Sequence, residues 1–211
     1  MISIVHPQVR KVDLEFEILR SLIADIPTFY KHKVDELEQR AKEDAEGAAD
    51  GDYEIYSDVY RQYDSVIEFY SEITNQMRGY ILAAIYAFYE RNVKEVYKVL
   101  GVNRYKVYPK VSFPSCNLSE KDNKKLYDQI DLIRLIRDNQ SHGELSGDGE
   151  MEKLEDYVAR YKGFEMIDNV VIITDNRYLE NALERVCDFF HLVFKINAQF
   201  APKRVGGKEE V

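Results

Sequence analysis

Ile130-Asp131-Leu132-Ile133-Arg134-Leu135-Ile136-Arg137-Asp138-Asn139-Gln140-Ser141-His142-Gly143 is the stretch on which the fold turns. Its apolar residues, Ile130, Leu132, Ile133, Leu135 and Ile136, recur at helical spacing and define one buried face. The amphipathic run begins near Leu126. Ser119 is placed to cap its start, with Glu120 and Asp122 in the favourable first turn. It closes on six polar residues and then Gly143, a good helix stop. A helix with one buried face needs other elements to bury it, so the flanking sequence decides the class.

Upstream, the pattern is helical almost throughout. From Val9 to Ala45 apolar residues recur at Val12, Phe16, Leu19, Leu22, Ile23, Ile26, Phe29, Val34, Leu37 and Ala41, interrupted by Pro27, which is expected to kink or split the run. Glu46-Gly47-Ala48-Ala49-Asp50-Gly51-Asp52 has the composition of an exposed helix-to-helix loop. A very long helical pattern follows, through Ile55, Val59, Tyr63, Val66, Ile67, Tyr70, Ile73, Met77, Tyr80, Ile81, Ala84, Ile85, Phe88, Val93, Val96 and Leu100, with Gly101 as its stop. Its first part is acidic on the polar face. Its second part, Ile81 to Phe88, is apolar nearly all round and is expected at the centre of a bundle. Pro109 and Pro114 break the pattern before Ser119.

Downstream, Gly147-Asp148-Gly149 reads as a loop and Met151 to Tyr161 as a short helix showing Leu154, Tyr157, Val158 and Tyr161 on one side. The period then changes. Phe164–Ile167 and Val170–Ile173 read as two strands joined by Asp168-Asn169, residue types that tolerate the positive φ of a tight hairpin turn. A last helix, from about Asn176 to Ala198, carries Leu179, Leu183, Val186, Phe190, Val193, Phe194 and Ile196. The expectation is an all-α, up-and-down helical bundle with a short β-hairpin near 164–173. It forms one domain over 1–201, with a helical extension at about 9–45, a core at about 53–198 and a disordered tail at 202–211.

Composition bounds the function. The 211 residues are 45% hydrophobic, enough for a sizeable core, and carry a net charge of −9. An acidic chain is a poor candidate for avid, non-specific binding to nucleic acid. Cys116 and Cys187 lack CxxC partners and read as free thiols in a reducing cytosol. No stretch has the apolar length of a membrane span, and Met1 to Phe16 lacks a signal core, so a cytoplasmic protein is expected. No Gly-rich phosphate loop, nucleophile elbow or zinc-ligand spacing is present. His6, His32 and His191 have no metal-like partners.

Arg137, Asp138 and His142 are the parts of a different chemistry. RNA carries its own nucleophile, the 2′-hydroxyl. A ribonuclease need only align it, move protons and neutralise the phosphorane. Histidine moves protons near neutral pH, and arginine holds non-bridging phosphate oxygens through parallel charged hydrogen bonds. Asp138, four residues before His142, shares its helical face and is placed to orient the imidazole or raise its pKa. Arg137 and His142 are five apart, roughly 140° around an ideal helix. They converge only if the helix loosens near Ser141, if Arg137 reaches around, or if a second copy completes the site. The competing interpretation is structural: a histidine in a last helical turn before Gly suits the helix dipole, and Arg137–Asp138 is then an exposed pair.

Arg137-Asp138-Asn139-Gln140-Ser141-His142 resembles the signature of the HEPN superfamily (higher eukaryotes and prokaryotes nucleotide-binding domains): an arginine, a polar residue, a short spacer and a histidine. The long preceding helix with Tyr80 to Glu90, the glycine after the motif, the hairpin and the closing helix follow the same order, from roughly Tyr53 to Ala198. The spacer is at the short end of the permitted range, and Asp138 stands where Asn is commoner. The resemblance implies a HEPN-like bundle that dimerises with two motifs facing across a cleft. It implies a metal-independent endoribonuclease without cofactor, of a toxin–antitoxin, abortive-infection or related defence system. It implies Arg137, Asp138 and His142 as catalytic residues. Expected partners are RNA, a second copy, and an antitoxin or nucleotidyltransferase protein. Other members have lost activity and serve as modules binding RNA, nucleotide or protein.

Basic residues from Arg91 to Lys125, among them Arg104, Lys121, Lys124 and Lys125, interleave with Tyr97, Tyr105, Tyr108 and Tyr127. They form a candidate path for single-stranded RNA. The alternative is a solvated rim that balances the acidic half.

Overall fold

The structure, a computed structural model, describes residues 7–99, 120–143, 145 and 147–200. Its elements in order are α1 (Pro7–Ala49), α2 (Tyr53–Val99), α3 (Glu120–His142), α4 (Glu150–Arg160), β1 (Phe164–Ile167), β2 (Val170–Ile173) and α5 (Asn176–Phe200). This is an all-α helical bundle with one two-stranded hairpin. Among the described residues no helix is long and apolar enough to cross a membrane.

α1 and α2 dominate the molecule. At 1.5 Å per residue they are about 65 and 70 Å long, and they pack against each other along their length. Asp50 and Gly51, with φ of 40° and 90°, turn the chain between them. The Asp52 carboxylate caps α2 by accepting the Glu54 N–H at 2.9 Å, satisfying one of the donors a helix start leaves open.

A single apolar core joins the first turns of α1 to everything else. Val12, Phe16, Leu19 and Ile23 meet Ile81, Leu82, Ile85, Phe88 and Val93 of α2. α3 supplies Ile130, Leu132, Ile133, Leu135 and Ile136, the face its periodicity announced. α4 adds Leu154, β2 adds Val171 and Ile173, and α5 adds Leu179, Leu183, Val186 and Phe190. Phe88 and Phe190 pack edge to face, with centroids 5.7 Å apart, the arrangement their ring quadrupoles favour. The expected N-terminal extension therefore divides: its first turns belong to the core, and its remainder runs out alongside α2.

The hairpin forms in the anticipated register, Phe164 opposite Ile173 and Ile167 opposite Val170. Asp168 and Asn169 both sit in the left-handed region, φ 49° and 63°. That is the backbone twist a two-residue turn needs, reached here without glycine.

Four expectations are corrected. Pro27 does not split the first helix; α1 runs unbroken through it. Proline removes one helical hydrogen bond, and packing along α2 on both sides of it offsets that loss. Residues 46–49 are helical instead of loop, because Ala45 and Ala49 are buried at the seam with α2, where small side chains allow close approach. Tyr161 lies beyond α4 and is exposed, stacked on Tyr157. Leu22, Phe29, Ile55, Val66 and Tyr80, anticipated on apolar stripes facing a core, are exposed. The Ser119 cap, Gly101, Arg104, Cys116 and the tail 202–211 lie outside the described residues, as do the side chains of Lys121, Lys124, Lys125, Val193, Phe194 and Ile196.

Candidate functional site

The C-terminal end of α3 is held by two side chains of the motif itself. Asn139 is wholly buried. Its amide donates to Gly143 O at 3.0 Å and Asn169 O at 2.9 Å, and its carbonyl accepts the Val171 N–H at 2.8 Å. Gln140 donates to Val171 O at 2.9 Å. Both backbone groups of Val171 thus point away from β1 and are taken by α3, which also blunts the free edge of the hairpin. α2 approaches closely at this level: a Cβ on Gly79 would lie 3.1 Å from Gln140 Oε1.

The helix does not loosen near Ser141. It stays α-helical through His142, and the Gly143 N–H donates to Asn139 O at 2.7 Å. Gly143 then takes φ 73°, the left-handed stop that glycine adopts freely. Five helical steps therefore separate Arg137 from His142 by about 140° around the axis. Arg137 turns towards α2, its guanidinium carbon 4.4 Å from the centre of the Tyr86 ring. His142 is exposed and has no hydrogen-bond partner among the described residues. Within one chain the structure does not bring the two together.

Asp138 belongs to the arginines and not to the imidazole. Its carboxylate accepts from Arg134 Nη1 at 3.2 Å and lies 2.9 Å from Arg137 Nε. The second contact has the distance of an ion pair without hydrogen-bond alignment, so Arg137 Nε is shielded from water and lacks a hydrogen-bond partner. Neither Arg137 Nη atom has a hydrogen-bond partner among the described residues. That leaves the outer edge of the guanidinium, the one suited to a phosphate, unengaged. Tyr86 beneath it is buried, and burial, then the charge of Glu90, pushes its hydroxyl up to about 12. The ring is therefore a neutral platform for the cation.

Arg134 is the hub that sets Asp138. It bonds Asp131 at 2.9 Å through Nε and Glu150 at 2.5 Å through Nη2, while Lys153 reaches Asp131 at 2.7 Å. Burial alone would lower the Arg134 pKa, but Glu150 and Asp131 more than offset it and hold it raised. Burial alone would raise Asp131, and the hydrogen bonds from Lys153 and Arg134 hold it below its ordinary value. Glu150 also accepts the Gly147 N–H at 3.2 Å, so the loop after the motif is pinned to the same network.

Tyr86, Arg134, Asn139 and Glu150 were not among the sequence candidates. Asn139 had a signal: it follows Leu132 by seven and Leu135 by four, a polar residue on the buried phase, which must find hydrogen bonds there. Arg134 precedes Asp138 by four, a spacing that pairs charges on a helix. Tyr86 and Glu150 reach the site through tertiary packing and carry no local signal.

Of the basic stretch, Arg91 is paired with Glu15 at 2.8 Å and Lys94 is exposed. Elsewhere Cys187, His191 and Asp13 converge, but His191 uses Nε2 both for Asp13 at 3.0 Å and towards Cys187 at 3.7 Å. Burial, then Asp13 and Asp188, pushes the thiol up to about 11, the reverse of an activated nucleophile. Among the described residues no cluster of His, Cys, Asp and Glu could hold a metal ion. The chain matches no family model, no curated protein and no solved structure.

Proposed function

We propose that the end of α3 is the catalytic edge of a HEPN-like, metal-independent endoribonuclease, acting in a toxin–antitoxin, abortive-infection or related defence system. The observation that carries the reading is the state of Arg137. It is seated on Tyr86 and steadied by Asp138, yet among the described residues its outer nitrogens have no partner, on the same helix end as an exposed His142 that has none there either.

In this mechanism Arg137 binds the non-bridging oxygens of the scissile phosphate and stabilises the charge that grows there. An imidazole removes the 2′-hydroxyl proton as the 2′-oxygen bonds to phosphorus. Water protonates the 5′-oxygen as its bond to phosphorus breaks, and the imidazolium returns its proton to the hydroxide left behind. The products are a 2′,3′-cyclic phosphate and a 5′-hydroxyl. One chain offers one His142, turned away from its own Arg137. Two copies related by a two-fold axis would let the arginine of one chain serve with the histidine of the other.

Mixing variants tests the shared cleft. Arg137→Ala and His142→Ala should each be inactive alone. Mixed and allowed to exchange subunits, they should regain a measurable part of wild-type cleavage, because one composite site would carry both native residues. Mixtures as inactive as their parents would remove the shared cleft.

Asp138 favours a second reading. Its engagement by Arg134 and Arg137 leaves His142, among the described residues, without a carboxylate to orient it. That arrangement suits a module that binds RNA, nucleotide or a protein partner without cutting. Wild type that binds RNA and yields no 2′,3′-cyclic ends would select it.

A further inference from the structure

Beyond the shared core, α1 and α2 continue as a two-helix arm, residues 24 to 78. Among its described residues only Ala41, Ala45, Ala49 and Thr74 are buried. The same arm exposes Phe29 and Phe69, each by 56%, together with Ile55 and Val66. Single apolar residues on a surface need no explanation, but these share a face. At 100° per residue, Phe29 falls about 120° behind the buried Ala41, and Ile55, Val66 and Phe69 fall about 80–140° behind the buried Thr74. In an antiparallel pair, offsets of equal sign point to the same side. Leu22 and Tyr80, also exposed, continue the stripe at the root of the arm.

The charge of the arm selects what could cover this face. Residues 24 to 78 hold fourteen Asp and Glu against six Lys and Arg, a net −8 of the chain's −9. Asp25, Glu43, Asp58 and Glu72 are exposed on the outer sides of the two helices. A second copy laid on the face would oppose these charges to their like. A helix with basic flanks would be drawn to them, as flanking charges choose partners in coiled coils.

We propose that this face docks one amphipathic helix of a partner protein, its apolar stripe lying in the furrow between α1 and α2 and its Lys or Arg flanks meeting the acidic edges. This is the helix-in-groove mode of recognition. A helix of about 25 residues would run from the level of Ile55 to that of Tyr80. The face is distinct from the end of α3, so the proposal stands whether or not RNA is cut.

The test uses the full chain and two labelled peptides of about 25 residues, both with Leu at the seam positions of each heptad. One carries Lys and the other Glu at the flanking positions, so like charge keeps each peptide from pairing with itself. Fluorescence anisotropy should show the Lys peptide binding and the Glu peptide failing to bind. The double substitution Val66→Asp with Phe69→Asp should weaken the Lys peptide at least about tenfold, since seam anchors dominate such interfaces. That result is diagnostic because the substitution adds negative charge, which would strengthen a purely electrostatic association. Circular dichroism checks that the double variant is folded. The proposal is overturned if the Lys peptide does not bind, if it binds the double variant as tightly as wild type, or if the Glu peptide binds equally well. It is also overturned if light scattering finds a dimer that the double substitution dissociates, since a second copy would then be the occupant.

Discussion

Replacing Asn139 by alanine should uncouple the motif helix from the hairpin. The side chain is fully shielded and makes three hydrogen bonds to backbone groups, Val171 N–H, Asn169 O and Gly143 O, and a weaker one to Met151 Sδ at 3.8 Å. The Val171 N–H suffers most. Val171 is itself buried, and this amide points away from β1, so no ladder bond can replace the lost acceptor. A buried donor left without a partner costs about 1–3 kcal/mol. The two carbonyls recover part of their loss from water, and the vacated amide volume adds a smaller cavity cost. The expected total is about 2–4 kcal/mol. Urea unfolding followed by far-ultraviolet circular dichroism should show it as a midpoint lower by roughly 1 M at an unchanged slope. Hydrogen exchange supplies an independent readout: the Val171 amide should lose protection before the β2 amides that bond β1. A loss below about 0.5 kcal/mol with Val171 still protected would refute the role given to Asn139.

Three further predictions concern the scaffold. Gly143→Ala should destabilise by about 1 kcal/mol, because φ of 73° disfavours any Cβ although nothing crowds the site; a neutral result in urea unfolding would show that the helix end can relax. Pro27→Ala should stabilise by about 1–2 kcal/mol, since α1 is continuous there and alanine restores the missing N–H; a destabilised variant in the same assay would mean the helix needs its proline. The Asp131 carboxyl is held below its ordinary 3.8. A depressed carboxylate contributes stability above its unfolded pKa and loses it as pH falls through the folded one. Wild type should therefore lose stability below about pH 4, and Asp131→Asn should lower stability at pH 7 and flatten that acid dependence. A parallel pH profile in the variant would exclude Asp131 as a contributor.

Much of the fold was legible because it rests on local rules. Ile130 to Ile136 repeat at the helical period and are buried. Asp168-Asn169 between two apolar runs is a turn, and the residues form one. What escaped depends on neighbours. Pro27 signals a break that a long partner helix overrides. Glu46 to Ala49 have loop-like composition, but alanine at the α1–α2 seam is worth more than a surface loop. Ile55 and Val66 repeat as a buried stripe would, and periodicity cannot say whether anything covers it. At the site, the sequence placed Arg137, Asp138 and His142 on one helix end but assigned Asp138 to the imidazole. Arg134 and Glu150 draw that carboxylate away, and Glu150 arrives only because the loop after Gly143 folds back. Tyr86 under Arg137 is a contact between helices with no trace in either segment alone.

Cleavage of single-stranded RNA by the purified chain in EDTA tests the central claim most directly. Wild type should yield 2′,3′-cyclic phosphate and 5′-hydroxyl ends. His142→Ala should lose about 10²–10⁴-fold in rate, the usual contribution of general acid–base catalysis. Arg137→Ala should lose a comparable factor through the unneutralised phosphorane. Both should remain folded, since His142 is exposed and Arg137 makes, among the described residues, one ion pair and one ring contact. Cleavage that His142→Ala leaves unchanged, or no cleavage by wild type of any RNA it binds, would contradict the account.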